Sequence, residues 1–162
     1  MESKEIKIGI GDLNIAFPPD RLITLGLGSC VGIAVYDYKN KVAGLAHIML
    51  PDSDGFTNQS NPLKFADKAI PSLIEAMVKS GGNPSYFKAK IAGGASMFAF
   101  SDKNPMMDIG TRNGTAVKEN LKKYNIPITA EDLGGNSGRT MIIDAETGKV
   151  FIRMVGKDMK EL

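Results

Sequence analysis

Short runs of β-branched and aliphatic residues, each interrupted by turn formers, fill the first fifty positions of the chain and constrain its fold more than any other feature. The runs cover residues 5–10, 13–17, 22–25, 31–37 and 42–49. Stretches this short, rich in Ile, Val and Leu and bounded by Gly, Pro, Asn and Asp, read as strands. Between the last two lies Tyr38-Lys39-Asn40-Lys41, a hairpin turn that makes those strands antiparallel neighbours. Residues 51–62, rich in Asp, Ser, Asn and Gly, form a loop.

The pattern then changes period. Phe65, Ala69, Leu73 and Met77 recur at four-residue steps with Ile70, Ile74 and Val78 beside them, which predicts a helix over 63–79 that Gly81-Gly82 terminates. Pro71 removes one helical hydrogen bond and crowds the preceding turn, so a kink or a restart is expected there. A strand near 86–92, a Gly93-Gly94 turn and an apolar run at 97–100 follow. A second helix is expected at 109–124, with Val117, Leu121 and Tyr124 facing inward. The chain returns to strands at 126–131, 139–144 and 149–154, the last two joined by the turn Ala145-Glu146-Thr147-Gly148. Many strands, helix, strand, helix, strands is an α+β order: layered, mostly antiparallel sheets with helices packed on one side. At 162 residues, 43% of them hydrophobic, residues 1–162 are expected to form one domain with a substantial core.

Charge removes several functions. Twenty Lys and Arg against 18 Asp and Glu leave +2, too weak a field to point to nucleic acid. Met1-Glu2-Ser3-Lys4-Glu5 lacks the basic and apolar parts of a signal peptide, and the uncharged stretch 22–36 is short and broken by glycines. A cytoplasmic protein without membrane insertion is therefore expected. The single Cys30 excludes an internal disulfide, and with the single His47 it falls short of a zinc ligand set. No metal or cofactor is expected.

Chemistry can sit at Gly26-Leu27-Gly28-Ser29-Cys30, where glycines let the backbone turn sharply and bring N–H groups close to a bound atom. Such groups can stabilise a thiolate or receive the oxyanion of a tetrahedral intermediate. His47 lies 17 residues further on, one hairpin away, where an imidazole could take the thiol proton. A third group must orient that imidazole; Thr24, Asp37 and Asp52 all have suitable chemistry, and spacing does not choose among them. Gly93-Gly94 and the run Gly134-Gly135-Asn136-Ser137-Gly138 are read as tight turns, since neither fits a nucleotide-binding motif. Lys118, Lys122 and Lys123, with Glu119 among them, read as a solvated helix face.

TLGLGSCVGIAVYD from Thr24, AGLAHIMLPDS from Ala43, KFADKAI from Lys64, KAKIAGGASMF from Lys88, IGTRNGTAV from Ile109 and DLGGNSGRT from Asp132 together resemble the chemoreceptor glutamine deamidase family, CheD, over nearly the whole chain. The pair GLGSC and AHxMLPDS carries most of the specificity. The resemblance implies a cysteine nucleophile at Cys30, a base at His47 and an orienting threonine at Thr24. It implies a fold similar to toxins that deamidate glutamine in host GTPases. It further implies methyl-accepting chemotaxis receptors as substrate, no cofactor, and the phosphatase CheC as partner. An adaptor role, with Cys30 and His47 merely structural, is the alternative that deamidation of a receptor fragment would exclude.

Overall fold

Strands form where the apolar runs predict them in a computed structural model of the chain, which describes residues 2–57, 60–96 and 108–162. The strands are β1 (Glu5–Ile8), β2 (Asp12–Ala16), β3 (Arg21–Leu27), β4 (Val31–Asp37), β5 (Val42–Ile48), β6 (Phe87–Gly93), β7 (Ile128–Leu133), β8 (Arg139–Asp144), β9 (Val150–Met154) and the short β10 (Lys160–Glu161), which sequence reading missed. Two helices interrupt them, α1 (Ala66–Lys79) and α2 (Ile109–Lys123). The strands make two five-stranded sheets, β1-β3-β8-β9-β10 and β2-β5-β4-β6-β7. Among the described strands, β1–β3 and β6–β7 pair in parallel and the other pairs are antiparallel. The α+β reading, antiparallel for the most part, holds.

Three layers result, in which the second sheet lies between the first sheet and the helices. Val31, Ile33 and Val35 of β4 with Ala46 and Ile48 of β5 pack against Ile70, Leu73 and Met77 of α1 and Val117 and Leu121 of α2. Ala34, Ala43 and Leu45, on the opposite face, pack against Leu22, Leu27, Met141, Ile143 and Ile152 of the first sheet. This explains why β5 is buried at every residue while β2 alternates exposure: a strand covered on both faces is apolar throughout. At Gly44 a Cβ would lie 2.8 Å from Leu73 Cδ1 and 2.9 Å from Met77 Sδ, so the missing side chain lets α1 settle onto β5.

Local expectations fail where elements end. The chain turns at Gly9-Ile10-Gly11 instead of extending β1, and β1 and β2 enter different sheets. Residues 62–64 form a separate 3-10 turn before α1. Pro71 neither ends nor restarts α1, because it sits in the second turn, where a single lost hydrogen bond is outweighed by buried Ala69, Ile70, Leu73 and Met77. Val78 and Tyr124, expected inside, are 44% and 37% exposed: Val78 sits in the last turn of α1 and Tyr124 caps the C-terminus of α2. The apolar run at 97–100 lies outside the described residues. Among the described residues, no helix is long and apolar enough to cross a membrane.

Candidate active site

His47 is opposite Gly32 in the β4–β5 ladder, and Val31 is opposite Ile48. One more step along that register puts Cys30, at the exit of the glycine turn, opposite Met49. Cys30 and His47 are thus diagonal neighbours on the face toward the first sheet, with Cα atoms roughly 7–8 Å apart and Cβ atoms closer. Cys30 is half-buried against the core between the sheets, and His47 is fully buried. A Cβ on Gly32 would fall 2.7 Å from Met141 Sδ and 3.1 Å from Leu27 Cδ1, so glycine there lets the sheets close beside the imidazole.

Thr24 reaches His47 from the other sheet. Its Oγ1 lies 2.6 Å from His47 Nδ1 and 2.7 Å from the Ile8 carbonyl oxygen. A carbonyl only accepts, so the single hydroxyl proton goes to Ile8 and Nδ1–H must donate to Oγ1. That fixes the tautomer: Nε2 carries the lone pair. Nε2 is buried and, among the described residues, has no hydrogen-bond partner. Of the three orienting groups left open by the sequence, Thr24 is the one in contact. Asp37 instead closes the hairpin at the far end of β4, accepting from Lys39, Asn40 and Asn83, while Asp52 is exposed in the following loop.

Burial pushes His47 down from 6.5 to about 4, so the imidazole is neutral at physiological pH. Burial also raises the Cys30 thiol, an effect its own backbone N–H only partly offsets. The resting pair is therefore neutral thiol and neutral imidazole rather than a preformed ion pair. A neutral thiol beside a neutral imidazole has the chemistry for general base catalysis, in which proton transfer accompanies attack.

The glycine runs, read only as turns, brace the cysteine. Gly94 N–H donates to the Cys30 carbonyl at 2.8 Å and Ala95 N–H to the Gly28 carbonyl at 2.8 Å. Gly93 has φ +115°, and a Cβ there would meet the Cys30 carbonyl oxygen at 2.1 Å. Gly134 N–H in turn donates to the Gly93 carbonyl, and Ser96 N–H to that of Gly135. Buried Arg139 closes this outer turn through the Asp132 carboxylate at 2.9 Å and the carbonyls of Gly134 and Ser137. Asn113 of α2, which sequence reading passed over, donates from Nδ2 to the Ser29 carbonyl at 2.9 Å and the Met49 carbonyl at 3.1 Å. Its only sequence signal was membership of the IGTRNGTAV motif.

By fold and site this is an α+β protein with a half-buried thiol and a buried imidazole on the same face of one sheet and a threonine hydroxyl in contact with that imidazole. The family model described as CheD chemotactic sensory transduction matches residues 49–154. Relatives in Clostridium botulinum strain Hall and Clostridium novyi strain NT are each 60% identical over 162 residues, covering all of both chains, and each is named probable chemoreceptor glutamine deamidase CheD. The chain belongs to the CheD family. Among solved structures, the Bacillus licheniformis hypothetical protein YfiH is similar at a TM-score of 0.40 and 16% identity, over 69% of this chain and 46% of that one.

Proposed function

We propose that this protein deamidates glutamine side chains of chemotaxis receptors, with Cys30 as nucleophile, His47 as general base and acid, and Thr24 as the group that orients the imidazole. The observation that carries it is the commitment of the Thr24 proton to Ile8, which leaves the buried His47 Nε2 with its lone pair and, among the described residues, no partner, on the sheet face that Cys30 also occupies. Its relatives' name supplies the substrate class.

The Cys30 thiol attacks the glutamine Cδ as Nε2 takes its proton, and the carbonyl π electrons move to oxygen. Backbone N–H groups of the 26–30 turn face that oxyanion. Collapse re-forms the carbonyl and breaks the C–N bond, while the imidazolium protonates the leaving ammonia. Water, losing a proton to the neutral imidazole, then attacks the thioester. Collapse expels the thiolate, which recovers the proton from His47. Glutamate and the starting thiol remain, with no redox change and no cofactor. The reading is of one cytoplasmic domain spanning residues 1–162.

Mass spectrometry of a receptor fragment incubated with the protein tests this. Glutamine should become glutamate with the parent protein and stay unchanged with Cys30→Ala; equal conversion by the variant would remove Cys30 from the mechanism. CheC is proposed as the regulatory partner, on the family resemblance, occupying the rim through which substrate enters. Rates measured across receptor concentrations should then show CheC raising apparent KM at constant kcat. A fall in kcat at saturating receptor, or no binding of CheC, would reject the shared rim.

A further inference from the structure

We infer that Asn113 is a positioning residue for this reaction, one whose side-chain amide sets the direction of the Cys30 backbone N–H and locks the cysteine turn to the exit of the His47 strand. The inference rests on the proposed deamidation. Both groups facing Nδ2, the carbonyls of Ser29 and Met49, are acceptors only, so the amide orientation follows from chemistry: its two N–H groups point at them. The Ser29 carbonyl belongs to the same peptide unit as the Cys30 N–H. Among the described residues the one cis peptide bond joins Pro18 to Pro19, so the Ser29–Cys30 peptide is trans. In a trans unit, C=O and N–H point in opposite directions. Holding the carbonyl toward α2 therefore turns the N–H away from α2.

That N–H faces the Cys30 sulfur, where it favours the thiolate. A donor at the sulfur would also stand close to the carbonyl oxygen of the carbon that the sulfur attacks. The second bond reaches Met49, two residues past His47 and one past the Val31–Ile48 pair that ends the β4–β5 ladder. One buried amide thus spans the two strands that carry nucleophile and base.

The helix is built to deliver it. Gly110, Asn113, Gly114 and Val117 are buried along one face of α2. At Gly110 a Cβ would stand 2.3 Å from the Ala95 carbonyl oxygen and 2.7 Å from that of Gly94, so only glycine lets this end of the helix approach the brace. One turn later Asn113 meets Ser29. Asn113 is fully buried and, among the described residues, its Oδ1 has no partner. An apolar residue here would take the donor from both the Ser29 and Met49 carbonyls, whereas asparagine serves both with one idle acceptor.

Asn113→Ala and Asn113→Asp test the role against Cys30→Ala and the parent, using ammonia release from a receptor fragment at a temperature where circular dichroism shows each variant folded. Asn113→Ala should lower kcat by at least about tenfold, less than the ~100- to 1,000-fold cost of deleting an oxyanion donor outright, with KM within about threefold. Its Cys30 should also alkylate more slowly at a given pH. Asn113→Asp keeps the shape but donates only while protonated, so its activity should decline with rising pH where the parent's does not. If the folded variants match the parent in kcat and alkylation, the assignment is overturned. Failure of both to fold would overturn it too, making Asn113 a folding determinant. A parent that releases no ammonia, or does so equally as Cys30→Ala, would instead defeat the reading of the site itself.

Discussion

Replacing Thr24 by valine keeps the branched shape and deletes one oxygen, so it isolates what the hydroxyl does. In the parent, Oγ1 accepts from His47 Nδ1–H at 2.6 Å and donates to the Ile8 carbonyl at 2.7 Å, in a fully buried setting. The valine leaves Nδ1–H facing a methyl group. The imidazole becomes imidazolium during attack, so the lost bond is one to a developing charge, worth about 1.5–3 kcal/mol. At 1.36 kcal/mol per tenfold, kcat/KM should fall about 10- to 160-fold. Two buried polar groups also lose a partner, which should lower folding stability by about 2–6 kcal/mol at about 1–3 kcal/mol each. Thr24→Ser retains the hydroxyl and is the control. Initial rates of ammonia release from a receptor fragment, read beside urea unfolding curves, separate the two effects. The reasoning is refuted if Thr24→Val stays within about threefold of the parent, or if Thr24→Ser is impaired as much as Thr24→Val.

Two further perturbations probe the site. With His47 at about 4 in the folded chain against 6.5 for an ordinary histidine, the unfolded chain takes up a proton below 6.5 that the folded one refuses until about 4. Folding stability should therefore fall as pH drops through that window, by about 3 kcal/mol in all, and His47→Gln should flatten the slope; parallel curves for the two proteins would contradict it. Gly93→Ala combines φ +115° with a contact of 2.1 Å to the Cys30 carbonyl oxygen, whereas Gly134→Ala has φ +88° and open space. Both carry backbone strain of about 1–3 kcal/mol, but only Gly93→Ala should also depress kcat; equal activity in the two would show that the Gly93 brace does not hold the cysteine.

Much of this protein is local and therefore legible in its sequence. The β4–β5 and β8–β9 hairpins follow from apolar runs around short turns, at which Lys41 and Gly148 adopt positive φ. The α+β class follows from the order of the periods. Cys30 and His47 could be singled out because each is the only residue of its kind. Packing decided the rest. Periodicity tells which face of an element is apolar but not how far its cover reaches, so Val78 and Tyr124, at the C-terminal ends of α1 and α2, were expected inside and are exposed. The three-residue turn between β1 and β2 sends the strands to different sheets, which brings β3 and β5 face to face rather than edge to edge. Only that crossing lets Thr24 reach His47 from the opposite layer, while Asp37, on a strand directly paired with β5, lies five residues along the ladder from the Gly32–His47 pair, at the hairpin end. Asn113 enters from a third layer. Side chains that converge from three layers are joined by sheet packing and helix approach, and no spacing along the chain encodes those distances.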